Sequence, residues 1–250
     1  MKYVRYRYRG RDSYGILDGE TVKEIGSLFG KREETGREFS VTAVRLLWPC
    51  EPSKVLAIAW NYQSHLADRP VPRNPEIFFV PPSALLEPAG VILIPPDART
   101  VHYEGELVAV IGKETCNVTP AEAGGCIFGF TCGNDVSERE WQKTDRQWWR
   151  AKGSDTFAPL GPAIVTDFDW RRGRIETRVN GSVVQSGNFA ELLFDPLEII
   201  SFASRYATLL PGDVIYTGTP GDTGDLRPGD LVEVEIPGIG ILRNMVAMRS

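Results

Sequence analysis

The sequence predicts an α+β fold in which β-strands dominate, and three observations support this prediction. From residue 54 onward, short apolar segments alternate with turns rich in proline and glycine, as expected of strands joined by tight connections. Helix-start signals are few and do not alternate regularly with the strands, so repeated βαβ units are not indicated. No glycine-rich phosphate loop follows a predicted strand, which argues against a nucleotide-binding fold.

Residues 1–50 are predicted to form a small β-rich domain. Basic side chains at positions 2–11 alternate with tyrosine and valine, which is typical of a strand with one solvated face rather than of an arm that binds phosphate. A turn at Asp18-Gly19 is expected to join strands within this unit. A junction with two prolines at 49–52 ends it, so we place the larger, remaining domain at 51–250.

Three helix starts are predicted from capping residues. Thr119, Ser137 and Asp195 are each followed three residues later by a glutamate, the pairing of a capping box. A proline also directly follows Thr119 and Asp195, as is common at the first helical position. In the C-terminal region, the tripeptide Pro-Gly-Asp at 211–213 and again at 228–230 predicts turns between short strands.

The composition excludes several classes of protein. Lysine and arginine number 28 against 33 acidic residues, for a net charge of −5, so no basic face for nucleic acid is expected. No apolar stretch approaches the roughly 18 residues of a membrane span, and the N-terminus lacks the layout of a signal peptide. The four cysteines have no Cys-x-x-Cys spacing and are expected to be reduced thiols of a cytoplasmic protein rather than zinc ligands.

Segment 102–112, HYEGELVAVIG, combines charged residues with an apolar run. In a strand, residues i and i+2 point to one face, so His102, Glu104 and Glu106 would share a face that continues into a core. Two carboxylates next to a buried apolar run repel each other and are costly to desolvate, and a bound cation removes both problems. An edge strand whose glutamates face water is an equally weighted alternative for this segment.

Asp135 supplies a third carboxylate. It lies directly after an apolar, strand-like segment and before the helix start predicted at Ser137. Carboxylates without cysteine or a histidine pair suit a hard cation such as Mg²⁺ or Mn²⁺, and three of them leave coordination positions open for a chelating substrate. An aspartate that only forms a turn or a helix entry is the alternative interpretation.

Residues 54–250 resemble the fumarylacetoacetate hydrolase family, because several sequence blocks match that family in order. These blocks are NYQSH (61–65), FFVPPSALL (78–86), HYEGELVAVIGKE (102–114), GFTCGNDVSERE (129–140), WWRAKGSDTFAPLGPAIV (148–165), VNGSVVQSGN (179–188) and PGDVIYTGTPGDTG (211–224). The resemblance implies a β-roll-like catalytic fold that is usually homodimeric. It also implies one Mg²⁺ or Mn²⁺ per subunit, held by Glu104, Glu106 and Asp135. Residues 1–50 resemble the small N-terminal β domain of some bacterial members.

The resemblance assigns further roles by position. Lys152 matches the family lysine that faces the bound substrate, where an ammonium stabilises developing enolate charge. Arg139 and Gln142 match positions that contact the substrate. Thr219 matches a threonine whose hydroxyl or backbone amide helps to hold the substrate carboxylate. Without the family, the lysine and arginine are readily interpreted as surface residues and the threonine as part of a turn.

His65 matches a family histidine that acts as a base on water or as a proton shuttle. Family members often pair it with a glutamate three residues later, and here that position is Asp68. Aspartate is one methylene shorter, so this dyad is expected to be weaker, differently placed or formed only when a lid closes. His102 is interpreted as lying behind the metal ligands or in solvent.

The implied chemistry is that of an enolate stabilised by a metal ion, formed from a small 2-oxo or 2-hydroxydienoic dicarboxylic acid. The chain looks most like bacterial 2-hydroxyhepta-2,4-diene-1,7-dioate isomerases and the related 5-carboxymethyl-2-oxohex-3-ene-1,7-dioate decarboxylases of aromatic catabolism. Hydrolysis of an acylpyruvate such as fumarylpyruvate, or decarboxylation of oxaloacetate, is the alternative. A family member that binds metal or ligand without catalysis is a rival of a different class.

Overall fold

The computed structural model describes residues 1–66 and 68–250, and strands dominate within these ranges. The predicted α+β, β-dominated fold is therefore confirmed. The strands are β1 (Lys2–Tyr8), β2 (Arg11–Asp18), β3 (Thr21–Ile25), β4 (Glu34–Ser40), β5 (Arg45–Leu47), β6 (Val55–Ala59), β7 (Glu76–Val80), β8 (Leu85–Leu86), β9 (Val91–Ile94), β10 (Val101–His102), β11 (Gly105–Ile111), β12 (Ile127–Asn134), β13 (Ser137–Glu138), β14 (Ala158–Val165), β15 (Arg174–Val179), β16 (Ser182–Asn188), β17 (Val214–Tyr216), β18 (Leu231–Ile236) and β19 (Gly240–Met248). The α-helices are α1 (Pro120–Ala123), α2 (Arg139–Thr144), α3 (Trp149–Gly153) and α4 (Pro196–Ser204).

The strands assemble into a large mixed sheet and a smaller one. The large sheet has the order β4-β3-β2-β1-β14-β12-β11-β17-β6-β7, with β5 added beside β1 and β8 beside β14. The smaller sheet has the order β16-β15-β18-β19-β9. Most neighbours are antiparallel, whereas β6 with β17, β8 with β14 and β9 with β19 run parallel. A short ribbon of β10 and β13 lies outside both sheets.

Strand β11 lies in the interior of the large sheet, between β12 and β17. Val108 and Val110 pack into the core on one face of the sheet. Leu107 and Ala109 pack on the other face, against apolar residues of the smaller sheet. Both faces are buried, so the strand is apolar throughout rather than alternating. The alternative of a solvated edge strand is therefore wrong for this segment.

The N-terminal strands extend the large sheet, since β1 pairs with β14 through Lys2↔Val165 and Tyr3↔Ile164. The predicted single solvated face of β1 is only partly correct, because Arg5 is buried. Its guanidinium forms ion pairs with Asp12 and Glu51 instead of facing water. The domain boundary near residue 50 stays a prediction.

Two of the three predicted helix caps are confirmed. Thr119 caps α1 and Asp195 caps α4, each with the expected glutamate bonding back to the cap residue. Ser137 does not cap a helix, because it belongs to β13. Glu138 caps α2 instead and accepts a hydrogen bond from the amide of Trp141 at 2.6 Å. A carboxylate cap was missed because the Ser-x-x-Glu pattern begins one residue earlier.

In residues 1–66 and 68–250, no helix is both long and apolar enough to cross a bilayer. The four cysteines are free thiols. Cys50, Cys126 and Cys132 are buried, as expected of core thiols, whereas Cys116 is exposed.

Candidate metal centre and substrate cavity

Three carboxylates meet where β11 begins and β12 ends. Antiparallel pairing places Gly105 opposite Asn134, so Glu104, Glu106 and Asp135 lie side by side at this sheet end. One carboxylate oxygen from each residue lies within 4.8 Å of the other two, and all three residues are buried. The continuous strand predicted from His102 onward is wrong, because β10 ends at His102 and β11 starts only at Gly105.

Backbone bonds hold the interrupted segment in place. The amide of Glu104 donates to Oδ1 of Asn134 at 2.9 Å, and the amide of Asp135 donates to the carbonyl of Glu104 at 2.9 Å. Gly105 approaches Thr177 so closely that a Cβ atom there would lie 2.1 Å from its hydroxyl oxygen. A glycine is therefore required between the two glutamates, and the carboxylates converge on one point.

Helix α3 brings the buried Lys152 into this cluster. Its ammonium donates to Oε2 of Glu104 at 2.7 Å and to Oδ2 of Asp135 at 2.6 Å. Burial works against ionisation of Glu104, but the charges of Lys152 and Arg139 outweigh it and lower the pKa of Glu104 to about 2. Burial, assisted by the charge of Glu104, raises the pKa of Asp135 to about 6 despite Lys152.

Of the three carboxylates, Glu106 is the one whose negative charge is least compensated by its surroundings. Its Oε2 accepts a hydrogen bond from the amide of Gly218 at 2.6 Å. Gly218 has a φ of +100°, and a Cβ there would lie 2.7 Å from that of Asn61, so this donor position requires glycine. Burial, followed by the charges of Asp135 and Glu104, raises the pKa of Glu106 well above its usual range.

These residues fit a divalent cation. Three carboxylates face two nearby cationic side chains, Lys152 and Arg139, so full ionisation leaves one negative charge uncompensated in a buried place. The ligand atoms are all oxygens, which suits Mg²⁺ or Mn²⁺ and does not suit a thiolate-preferring ion. Lys152 bridges two of the carboxylates and shows that this position attracts positive charge.

A cavity of about 400 Å³ opens onto the carboxylates. Predicted site residues that line it are His65, Glu104, Glu106, Arg139, Gln142, Lys152 and Thr219. Asp135 does not line the cavity itself but accepts a hydrogen bond from Lys152, which does. Asp68 is exposed and is not among the residues that line the cavity. The fold therefore brings the predicted residues together, with the exception of Asp68.

Arg139 is held by a network at the cavity wall. Its guanidinium pairs with Oε1 of Glu104 at 2.6 Å and donates to Oε1 of Gln142 at 2.8 Å and to Oγ1 of Thr223 at 2.7 Å. His102 lies beyond Thr223, with Nδ1 2.8 Å from the same hydroxyl and Nε2 3.2 Å from Asp225. Burial and then Arg139 lower the pKa of His102. His102 is thus connected to Glu104 through Thr223 and Arg139.

Sequence reasoning missed Gln185, a buried residue of β16. Its side chain accepts from the amide of Gly105 at 3.1 Å and donates to Oγ1 of Thr219 at 2.9 Å and to the carbonyl of Pro220 at 2.8 Å. The Thr219 hydroxyl in turn donates to the carbonyl of Gly105 at 2.9 Å. A hydroxyl has one proton, so the Thr219 hydroxyl has none left to donate to a substrate. A glutamine inside the VNGSVVQSGN block was the available signal.

His65 ends a short 3₁₀ helix, Gln63–His65, that follows β6. Its Nδ1 lies 2.6 Å from the carbonyl of Gly221. A carbonyl only accepts, so Nδ1 carries the proton and the lone pair of the neutral ring is on Nε2. The amide of Gly221 also donates to Oγ of Ser64 at 3.0 Å, which ties the two segments together. The partner of the imidazole is thus a backbone carbonyl and not Asp68.

Comparison with known families agrees with this geometry. The sequence profile described as Fumarylacetoacetate (FAA) hydrolase C-terminal matches residues 54–247. The chain belongs to the fumarylacetoacetate hydrolase family. The resemblance read from the sequence blocks is thereby confirmed. A second profile, described as Rv2993c-like, N-terminal, matches residues 1–49.

Three proteins of known name that are similar to this chain are named for three different reactions. The structure of 2-hydroxyhepta-2,4-diene-1,7-dioate isomerase from Mycobacterium marinum is 40% identical with a TM-score of 0.94, covering 100% of this chain and 99% of that one. The mitochondrial oxaloacetate tautomerase of Homo sapiens is 39% identical over 209 residues, 78% of this chain and 67% of the relative. Maleylpyruvate hydrolase from Sphingobium sp. SYK-6, solved with manganese(II) and pyruvate, is 26% identical with a TM-score of 0.84 over 100% of both chains.

Proposed function

We propose that the chain is a divalent-metal-dependent enzyme that isomerises a 2-hydroxydienoic or 2-oxo dicarboxylic acid, with 2-hydroxyhepta-2,4-diene-1,7-dioate as the best candidate substrate. The observation that carries the proposal is the buried surplus of carboxylates at the floor of a cavity also lined by Lys152 and His65. When bound, Mg²⁺ or Mn²⁺ would supply Lewis-acid stabilisation of developing negative charge on the substrate oxygens. Decarboxylation of a related diacid would start from the same charge pattern.

Lys152 would complete the stabilisation of the substrate oxygen. An ammonium carries three protons, and two of them are donated to Glu104 and Asp135. The third is available to a substrate oxygen in the cavity that Lys152 lines. The backbone amide of Thr219 can add a neutral donor in the same cavity. These donors are buried and held in place before the substrate arrives, which is the condition for effective stabilisation of an oxyanion.

His65 would move the proton. Isomerisation of this substrate removes a proton from the 2-hydroxyl and adds one at carbon 5, so no atom is gained or lost overall. The lone pair of Nε2 on the cavity-lining His65 can accept a proton and return it. Activation of water for C–C cleavage is better served by a histidine paired with a carboxylate, because the carboxylate stabilises the imidazolium. The Gly221 carbonyl found here favours proton transfer over hydrolysis.

Tautomerisation of oxaloacetate is a second candidate. It also needs one proton moved between oxygen and carbon next to a stabilised enolate, and the human relative is an oxaloacetate tautomerase by name. The two candidates differ in substrate length, four carbons against seven. Through the family resemblance we also propose a homodimer with one cation per subunit.

The test is to incubate the purified protein with Mg²⁺ or Mn²⁺ and a panel of 2-oxo diacids and acylpyruvates, and to follow enol absorbance and products. We expect loss of the dienol signal with unchanged carbon count, and no reaction after a chelator is added. Cleavage products would instead identify a hydrolase, and released CO₂ a decarboxylase. Cation binding without turnover of any substrate would refute the enzyme proposal and leave a non-catalytic binding protein.

A further inference from the structure

The exposed end of the cavity is aromatic. Trp60 and Trp148 both line it, with ring centroids 5.6 Å apart and planes at 88°. Phe78 packs against Trp148, with ring centroids 5.2 Å apart and planes at 77°. Trp60 has a φ of +53°, a backbone conformation that bulky residues rarely adopt. Such strain persists only when the surroundings enforce it, and it occurs mostly at binding sites.

The cationic side chains that line the cavity differ in whether they form ion pairs. Lys152 and Arg139 are paired with the buried carboxylates, and Lys143 pairs with Glu140 at 3.0 Å. Arg69 lies at the exposed end, with its guanidinium carbon 4.4 Å from the Trp60 ring centroid. Within residues 1–66 and 68–250, no carboxylate partner for its side chain is described. Among the lysines and arginines that line the cavity in the described part of the chain, Arg69 is therefore the one without an ion pair.

We propose that Arg69, stacked on Trp60, is a second anion subsite that binds the distal carboxylate of a dicarboxylic substrate. A guanidinium can donate two parallel N–H bonds to a carboxylate while its face stays on an indole ring. The substrate tail lies along Trp60 and Trp148, and a planar conjugated tail packs well on aromatic faces. This inference rests on the proposed function for the 2-oxo end of the same molecule.

The arrangement separates two recognition tasks in one cavity. The buried end, with Lys152 and the carboxylates, accepts the head group and carries the chemistry. The exposed end selects the tail by charge. A cavity of about 400 Å³ has room for a tail beyond a four-carbon acid. The subsite therefore selects a diacid with such a tail over a monoacid of equal chain length, because only the diacid carries a distal carboxylate.

Calorimetric binding to the Mg²⁺-loaded protein tests this, with 2-oxoheptanedioate and 2-oxoheptanoate as probes. They share the head group and chain length and differ only in the distal carboxylate. We expect the unaltered protein to bind the diacid at least about tenfold more tightly, as one charge-assisted pair allows. Arg69→Gln should weaken the diacid about tenfold and leave the monoacid unchanged, which removes the preference. Arg69→Lys should keep part of it.

Lys143→Gln is the matched control, because it removes the same charge from the same cavity at a residue already paired with Glu140. It should retain the diacid preference. Equal loss in both variants would mean that the effect is nonspecific attraction and would overturn the subsite. Equal binding of the two acids by the unaltered protein would also overturn it while the proposed function stands. Failure of both acids to bind would remove the proposed function and the subsite together.

Discussion

Asp213 and Glu106 are both buried carboxylates, but Asp213 is surrounded by hydrogen-bond donors and a cation, whereas Glu106 mainly faces other carboxylates. Oδ1 of Asp213 accepts from the amide and hydroxyl of Ser53 at 2.9 and 2.7 Å and from the amide of Lys54 at 3.0 Å. Its Oδ2 accepts from the amide of Leu210 at 2.7 Å and from the Lys54 ammonium. Glu106 accepts from the Gly218 amide and otherwise faces two more carboxylates.

The difference distinguishes a carboxylate whose charge the fold compensates, Asp213, from one whose charge is left for a ligand to compensate in the proposed site, Glu106. Asp213 lies in one of the predicted Pro-Gly-Asp turns, and each of its oxygens is saturated by groups that the fold itself provides. Burial of the Glu106 carboxylate costs a comparable desolvation free energy, but too few hydrogen-bond donors and cations surround it to offset that cost. A fold tolerates such a deficit when a ligand completes it, and perturbed carboxylates in a cavity mark a functional site for that reason. The contrast predicts that one residue is needed for activity and the other for stability.

Glu106→Gln should give the largest effect, a loss of activity on the order of 10²–10³-fold, because it removes one charge of the proposed cation site. The cation-free variant should melt at the same temperature as the unaltered protein or higher, since repulsion with Asp135 and Glu104 is relieved. Thermal melts with and without Mn²⁺ check both points. Addition of Mn²⁺ should stabilise the unaltered protein and not the variant. Retained activity would refute the metal assignment.

Asp213→Asn should lower stability and leave cation binding unchanged, the reverse of the effects expected for Glu106→Gln. The amide keeps the volume but presents N–H groups to donors and leaves Lys54 unpaired, which costs about 3 kcal/mol of unfolding free energy. Urea denaturation measures it. Cation affinity should be unchanged, because the Asp213 carbonyl bonds to Ile111, at the opposite end of β11 from Gly105. That is about 20 Å along the strand, too far for direct coupling. A weaker cation site in this variant would contradict the separation of roles.

Gln185→Met tests a case between these two. The Gln185 side chain is fully hydrogen-bonded, like that of Asp213, but it lies beside the carboxylate cluster. Loss of its bonds leaves the Gly105 amide and the Pro220 carbonyl unpaired, which should lower both stability and cation affinity. We expect about 10-fold to 100-fold weaker Mn²⁺ binding, the range for residues that orient metal ligands. Calorimetry with Mn²⁺ alone measures this. A stability loss with unaltered Mn²⁺ affinity would make Gln185 purely structural.

The sequence could predict the carboxylates but not what surrounds them. Glu104 and Glu106 are recognisable by their spacing beside an apolar run, and Asp135 by its place after a strand. The same spacing fits an exposed edge, and only the pairing of β11 with β12 and β17 excludes it. The contact of Gln185 with Gly105 spans 80 positions and depends on how the two sheets pack. Local patterns carry no information on such long-range pairings.

Asp68→Asn is expected to have the smallest effect. The family resemblance paired Asp68 with His65, but the structure places Asp68 on the surface, and the imidazole contacts the Gly221 carbonyl. A surface substitution of this kind changes the free energy of unfolding by no more than about 0.5 kcal/mol. Because Asp68 does not line the cavity, kcat/KM should change by no more than about twofold. His65→Ala is the comparison, with an expected loss of activity on the order of 10²–10⁴-fold if the proposed proton transfer is correct. Equal losses in the two variants would mean that a dyad forms during turnover, and hydrolysis would then become the better-supported reaction.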